Sequence, residues 1–537
     1  MTISQFPLPE GGIPTGNTAG RPANPVIGDV YYNGELGILE IFDGTNFIAC
    51  SAPPASPTVV SVVDVGTSRA YGSAQATVTL NVGTGGGPAT QFQAVGTLNA
   101  LDFESATTTS TTVTLTVGDS GTYSIGGKAL NNFGTSVTGP RTSATLTTVP
   151  QAPTIGTATT SAGTTDVTVT WTLGNNGGKN LTAITITPFL NGVTAETATT
   201  AATTTATSAT VTGLTANSAY TFKVKAANAN GTGLDSSATN SLTTPNLITV
   251  GYLVVAGGAG GGSGGGGGGG AGGLRSTVTA TGGGGSLESA LTLLKGTNYT
   301  VTVGAGGAGG GAGTYNKGAN GSNSIFSTIE SNGGGGGGAY GGGANPGQNG
   351  GSGGGGVGGG STNTAGGTGT ANQGFRGGNA FIDQKFTGCG GGGAAAQGPD
   401  GSNQPTNGGA GVAVSITGSS VTYAGGGGSG SQGGYNVAPT TGFGSGGSGG
   451  GANGSANGTG SAGTVNLGGG GGGGGYPSGG STGEAGGAGG SGVVILRYLT
   501  AAGTITVGAG LTADATGTDG SFSYKRFTAG TGNVSWS

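Results

Sequence analysis

Apolar and polar residues alternate along this chain in short bursts bounded by glycine, asparagine and proline, which is the pattern of β-strands. Near the N-terminus, Val30-Tyr31-Tyr32, Leu39-Glu40-Ile41-Phe42 and Asn46-Phe47-Ile48 read as three strands. Asn33-Gly34 and Asp43-Gly44 lie between them, and such dipeptides favour the positive φ of tight hairpins. Pro53-Pro54-Ala55-Ser56-Pro57 marks a linker. Two segments follow, each about the hundred residues of a β-sandwich. The first carries Val78-Thr79-Leu80 and Gly121-Thr122-Tyr123-Ser124-Ile125; the second carries Val169-Thr170-Trp171, Ile184-Thr185-Ile186 and Ala219-Tyr220-Thr221-Phe222. Beyond Gly251 the strand-type runs are isolated: Tyr252-Leu253-Val254-Val255-Ala256, Asn298–Val303, Val412–Ile416 and Val493–Tyr498. Thr504–Val507, Phe522–Phe527 and Asn533–Trp536 alternate again. The chain is predicted to be all-β in five parts: a hairpin unit at 1–52, sandwiches at 53–148 and 149–246, a glycine-rich domain at 247–498, and a β tail at 499–537.

Between those isolated runs lie most of the 136 glycines, with unbroken stretches at Gly264–Gly270, Gly333–Gly338 and Gly468–Gly475. Collagen is excluded, because it needs glycine at every third place and abundant proline. Two readings remain. One is a flexible linker. The other is a bundle of polyglycine helices in the polyproline II conformation, three residues per turn and about 3.1 Å rise, close enough to bond laterally through backbone groups. Ordering each residue costs about 1–2 kcal/mol, and glycine is the costliest. A lateral hydrogen bond returns a net of about 0.5–1.5 kcal/mol. A bundle therefore needs nearly every backbone group paired and apolar segments to clamp it. The four isolated runs are candidate clamps, for which a linker has no use.

Composition narrows the function. Only 6% of the residues are charged and the net charge is −4, with no basic patch for nucleic acid. Histidine is absent, which removes the commonest general base and metal ligand. Cys50 and Cys389 stand alone and make no zinc set. No metal or cofactor is expected. Carboxylates in the glycine region are scattered singly at Glu288, Glu330, Asp383, Asp400 and Glu484, whereas glycoside hydrolysis needs a pair about 5–10 Å apart. The chain is not expected to be an enzyme. Its first residues lack the basic and apolar regions of a signal peptide, and no stretch approaches the ~18 apolar residues of a membrane span. Extracellular-type β-structure made without a leader suits a phage virion part, made in the host cytoplasm and released by lysis, or a protein exported by a signal-independent route.

The stretch RPANPVIGDVYYNGELGILEIFDGTNFIAC resembles a short β-hairpin motif of phage tail and fibre proteins. Residues 150–245 resemble a fibronectin type III domain: Val169-Thr170-Trp171 matches its buried-tryptophan strand, Val211–Phe222 its tyrosine corner, and Lys223–Gly231 the next strand and turn. The first sandwich follows the same plan with Val78-Thr79-Leu80 in place of the tryptophan strand. VGYLVVAGGAGGG, GTNYTVTVGAGGAGGG, NGSNSIFSTIESNGGGG and GGSGVVILRYL, in that order, resemble the glycine-rich domain of phage tail fibres and adhesins. That resemblance implies a polyglycine sandwich whose inter-run loops contact the host surface.

The loops that interrupt the glycine runs hold Tyr340, Phe375, Arg376, Phe381, Phe386, Tyr435, Phe443 and Tyr476. Exposed aromatics bind with little entropy loss, so these are the candidate receptor contacts; the same side chains would also serve as caps on the bundle's ends. The resemblance implies a tail fibre or adhesin, trimeric, with residues 1–52 docking on other virion proteins and a host polysaccharide or outer-membrane protein as receptor. A purely structural head fibre or decoration protein, and a bacterial surface adhesin, are the alternatives.

Overall fold

The computed structural model describes residues 15–16, 18–35, 38–42, 44–49, 52–201, 203–313, 316–341, 345–358, 363–381, 387–401, 404–432, 442–478 and 482–537. The fold is all-β and divides into two compact units, Met1–Pro245 and Asn246–Ser537.

In the first unit the expected N-terminal strands form at Val30–Asn33, Ile38–Phe42 and Phe47–Ala49, joined in parallel by Thr15–Gly16. Arg21 grips the buried carboxylate of Glu40 with two bonds of 2.8 and 2.6 Å and lies over the ring of Phe47. A bidentate pair of this kind fixes orientation as well as charge. Two sandwiches follow. The first packs Thr58–Asp64, Gln75–Asn81 and Thr112–Thr116 against a sheet built on Gln91–Leu98 and Gly121–Asn131. Its core includes Val78, Leu80, Leu115, Tyr123 and Ile125. The second packs Thr154–Thr160, Val167–Thr172 and Ser208–Val211 against Leu181–Leu190 and Ala219–Asn228. Trp171, Ile184, Ile186, Tyr220 and Phe222 fill it. Tyr123 donates to the Asp119 carbonyl at 2.7 Å, and Tyr220 accepts from the Thr215 amide at 3.2 Å. Both phenols thus close the chain turn just before their own strand.

The second unit rests on one sheet. Leu247–Val255 pairs with Val493–Leu499, which pairs with Phe522–Trp536, which pairs with Tyr299–Val303. The C-terminal β tail pairs into this sheet, and the two strand segments expected there are one continuous strand of 15 residues. Val250, Tyr252, Val254, Val494, Leu496 and Tyr498 point into one core with Trp536 and Phe527. Leu253, Val255, Val493 and Ile495 point into another with Leu274, Val412, Val414 and Ile416. A strand buried on both faces needs no polar positions, and this is why these runs read as unbroken apolar stretches.

Candidate functional site

The glycine runs leave this sheet as an ordered lattice. Nine consecutive residues, Ala256–Gly264, donate backbone hydrogen bonds in strict rotation. Ala256, Ala259 and Gly262 donate to Gly273, Gly270 and Gly267; Gly257, Gly260 and Ser263 donate to Ser322, Ala319 and Asn316; Gly258, Gly261 and Gly264 donate to Gly490, Gly487 and Glu484, all at 2.9–3.1 Å. A chain that returns to the same neighbour every third residue has the threefold screw of the polyproline II conformation. Its carbonyls accept from three further stretches: Gly334 and Gly337, Gly307 and Gly310, and Gly471 and Gly474. One helix thus has six neighbours, three taking its protons and three supplying them. At about 3.1 Å per residue it spans roughly 25 Å.

Side chains are excluded by contact, not by chance. A Cβ added to Gly258, Gly261, Gly471 or Gly487 would meet the carbonyl oxygen of Gly469, Gly472, Gly487 or Ser461 respectively. The ordering cost falls on every residue while each bond returns less, so the two apolar cores at the sheet must supply the difference. Two buried hydroxyls fasten the helix at its root, Ser324 donating to the Val255 carbonyl and Ser331 to the Val254 carbonyl, both at 2.8 Å. Nothing in the alternation pattern marked these serines.

The chain runs to and fro between the sheet and a far end. Gly264 bonded to Glu484 and Gly313 bonded to Gly483 mark that end. Tyr340 lies two residues beyond Gly338, whose carbonyl takes the Gly267 amide. Tyr476 lies two beyond Gly474, which donates to Gly262. Ser431 brings Phe443 and Tyr476 into one neighbourhood, its carbonyl accepting the Tyr476 amide at 2.9 Å and its hydroxyl donating to the Gly442 carbonyl. Phe381 follows Ala380, which bridges to Thr364; the Thr364 hydroxyl donates to the Val357 carbonyl, and Val357 bridges to Gly388, where a Cβ would meet the carbonyl of Gly266, two residues past Gly264. Phe381 is 45% and Phe443 48% exposed, and Tyr340 and Tyr476 are half-buried. Four of the eight candidates therefore share the end away from the sheet.

Phe375 and Arg376 do not. Phe375 is half-buried, its amide bonded to Gly393 and its carbonyl to Gly353, and it follows a turn at 371–373 that lies at the sheet end, where Gln373 accepts the Leu274 amide. Arg376 holds Asp400 at 2.6 and 3.1 Å, and the same carboxylate accepts the Asn379 amide. The guanidinium draws the Asp400 carboxyl below the ordinary carboxylate range. Phe386 and Tyr435 lie outside the described residues, as does Cys50.

Glu288 and Cys389 are taken up in packing. Glu288 is gripped by Arg275 at 2.9 and 2.7 Å and accepts the Tyr252 hydroxyl at 2.7 Å. Burial first, and this carboxylate second, raise the Tyr252 phenol well above its usual value. Cys389 is a buried free thiol, pushed up to about 12 by burial and by the Asp400 charge. Among the described residues no three His, Cys, Asp or Glu side chains stand together as metal ligands, and no helix is long and apolar enough to cross a membrane.

Residues 235–499 match the glycine-rich domain family, and residues 151–242 match the fibronectin type III domain. The chain therefore carries a fibronectin type III domain followed by a glycine-rich domain, a combination consistent with an adhesin-like or structural protein. No curated protein matches it. Among solved structures, the chain is similar to the crystal structure of chicken CNTN1 FN1–FN3 domains, with 16% identity, a TM-score of 0.21, and coverage of 38% of this chain and 76% of that one.

Proposed function

We propose that the chain is a phage virion protein, a tail fibre or receptor-binding adhesin, and that it holds the host surface with the far end of its glycine-rich lattice. The observation that carries this reading is the gathering of Tyr340, Phe381, Phe443 and Tyr476 at the end of the unit opposite its sheet. The unit's own first strand begins in that sheet at Leu247. Residues 1–52 dock on other virion proteins, the sandwiches act as spacers, and three copies assemble. Planar aromatics with backbone amides around them suit a polysaccharide or an outer-membrane protein. No catalytic step is part of this reading.

The test is host-cell adsorption by virions carrying Phe381→Ser and Phe443→Ser together. A central aromatic anchor contributes about 2 kcal/mol or more, so adsorption is expected to fall by well over tenfold while particles still assemble. Unchanged adsorption by correctly assembled particles would reject the reading in favour of a purely structural virion component.

A further inference from the structure

Between the two sandwiches the chain reads Thr147-Thr148-Val149-Pro150-Gln151-Ala152-Pro153. Such a segment has the composition of a free spacer, and relative motion is the default for tandem domains. Its setting here is the reverse. Thr147, Thr148 and Val149 are all buried, and their polar atoms are divided between the two sandwiches. From the first, the Asp64 carboxylate accepts the Thr147 amide at 3.0 Å and also takes the Thr147 hydroxyl, while the Val149 amide donates to the Arg69 carbonyl at 2.9 Å. From the second, Asn230 Nδ2 donates to Thr147 Oγ1 at 2.7 Å and to the Thr148 carbonyl at 3.1 Å. Asn228 Nδ2 donates to the same Thr148 carbonyl at 2.9 Å, and the Thr148 amide donates to Gly177.

Two contacts bypass the segment and join the sandwiches directly. The Ser68 amide donates to the Asn230 carbonyl at 2.8 Å, and the Ser120 hydroxyl reaches Asn175 at 3.4 Å. Gly66 is packed so tightly into the network that a Cβ there would strike Thr147 Oγ1 and Asn230 Nδ2. The Thr147 hydroxyl is the centre of the arrangement, since it donates to one sandwich and accepts from the other. Asn228 and Asn230 are themselves buried. A buried network that is satisfied at each member holds one geometry, because any rotation would leave a buried polar group unpaired.

We propose that Thr147–Pro150 is a seated joint that locks the two sandwiches into one stiff body, with Asp64 and Asn230 as the opposing fasteners. The two sandwiches then move as one body instead of on a flexible tether.

The test measures the spread of distances between the sandwiches in the full chain. Spin labels are placed at the exposed positions Thr107→Cys and Ala162→Cys in a Cys50→Ser background, leaving the buried Cys389 in place. The parent chain is expected to give one narrow distance distribution. Asn230→Ala, and separately a Gly-Ser insertion between Val149 and Pro150, are each expected to widen it by about twofold or more, as a seated linker becomes a free one. A parent distribution as broad as that of the insertion variant would overturn the proposal. So would an Asn230→Ala distribution as narrow as the parent's, because the seat would then owe nothing to these bonds. If Asn230→Ala melts the second sandwich, the insertion variant, which leaves both cores untouched, decides alone.

Discussion

The α-carbon of Gly471 faces the carbonyl oxygen of Gly487 so closely that a methyl group on it would overlap that oxygen. The obstacle is backbone, which cannot swing away as a side chain can. Gly471→Ala is therefore expected to destabilise the second unit by about 3 kcal/mol or more, beyond the usual cost of an overpacked core. Gly458 is the matched control, since a Cβ there would meet only the Ser455 hydroxyl at 3.5 Å. Gly458→Ala is expected to melt with the parent. Equal melting of both variants would show that the lattice has room it should not have.

Trp171 fills the second sandwich, and its indole N–H has no hydrogen-bond partner. Trp171→Ala is expected to cost about 3–5 kcal/mol, as core tryptophan truncations do. Trp171→Phe is expected to cost much less, because it also removes a buried donor that nothing satisfies. Denaturant titration followed by circular dichroism separates the two. A Phe variant as unstable as the Ala variant would mean that the indole nitrogen has a partner in solution.

Cys389 is expected to resist alkylation in the native protein. With its thiol raised to about 12, only about one molecule in ten thousand is ionised at pH 8, against roughly a quarter for an unperturbed cysteine. In a Cys50→Ser chain, iodoacetamide at pH 8 should label nothing until denaturant is added. The neutral thiol favours the fold, so its contribution is complete below the unfolded value and is lost as the pH rises toward 12. Rapid labelling of the folded chain would place Cys389 at an opening.

Arg376 and Asp400 make a different pH statement. The guanidinium lowers the Asp400 carboxyl, so the pair's stabilisation is complete above the unfolded carboxylate value. It fades as the pH falls through the lower folded one. Replacement of Arg376 by leucine should return the Asp400 titration, followed by carboxyl carbon NMR, toward the ordinary range. If Arg376 instead serves a receptor, the same variant would lower adsorption without moving that titration.

The strands were legible where burial leaves a mark on sequence. Tyr252–Val255 and Val493–Leu496 carry no polar residue because both faces of their sheet are covered. Trp171 and Tyr220 were legible because a sandwich core has few solutions for large side chains. The lattice's existence could be argued from its clamps, but not its register. Gly258 meets Gly490 and Ala256 meets Gly273 through backbone atoms alone, so no side chain records which run lies beside which. The pairing of Arg376 with Asp400 was not legible either, because the two are distant in sequence. The joint was hidden for a similar reason: Thr147 and Thr148 look like spacer until Asp64 and Asn230 arrive from either side.

The central helix of the lattice sets an order of events in time. Ala256–Gly264 emerges early in the synthesis of this unit, yet Gly258, Gly261 and Gly264 bond to residues 484–490. At about 5–20 residues per second, that partner arrives some tens of seconds later. Until then those three amides stay in water, although the other six of the nine have had their partners since residue 322 was made. The lattice around this helix cannot be completed in order from its N-terminus, and a ribosome that stops before residue 484 leaves the helix open along one of its six sides.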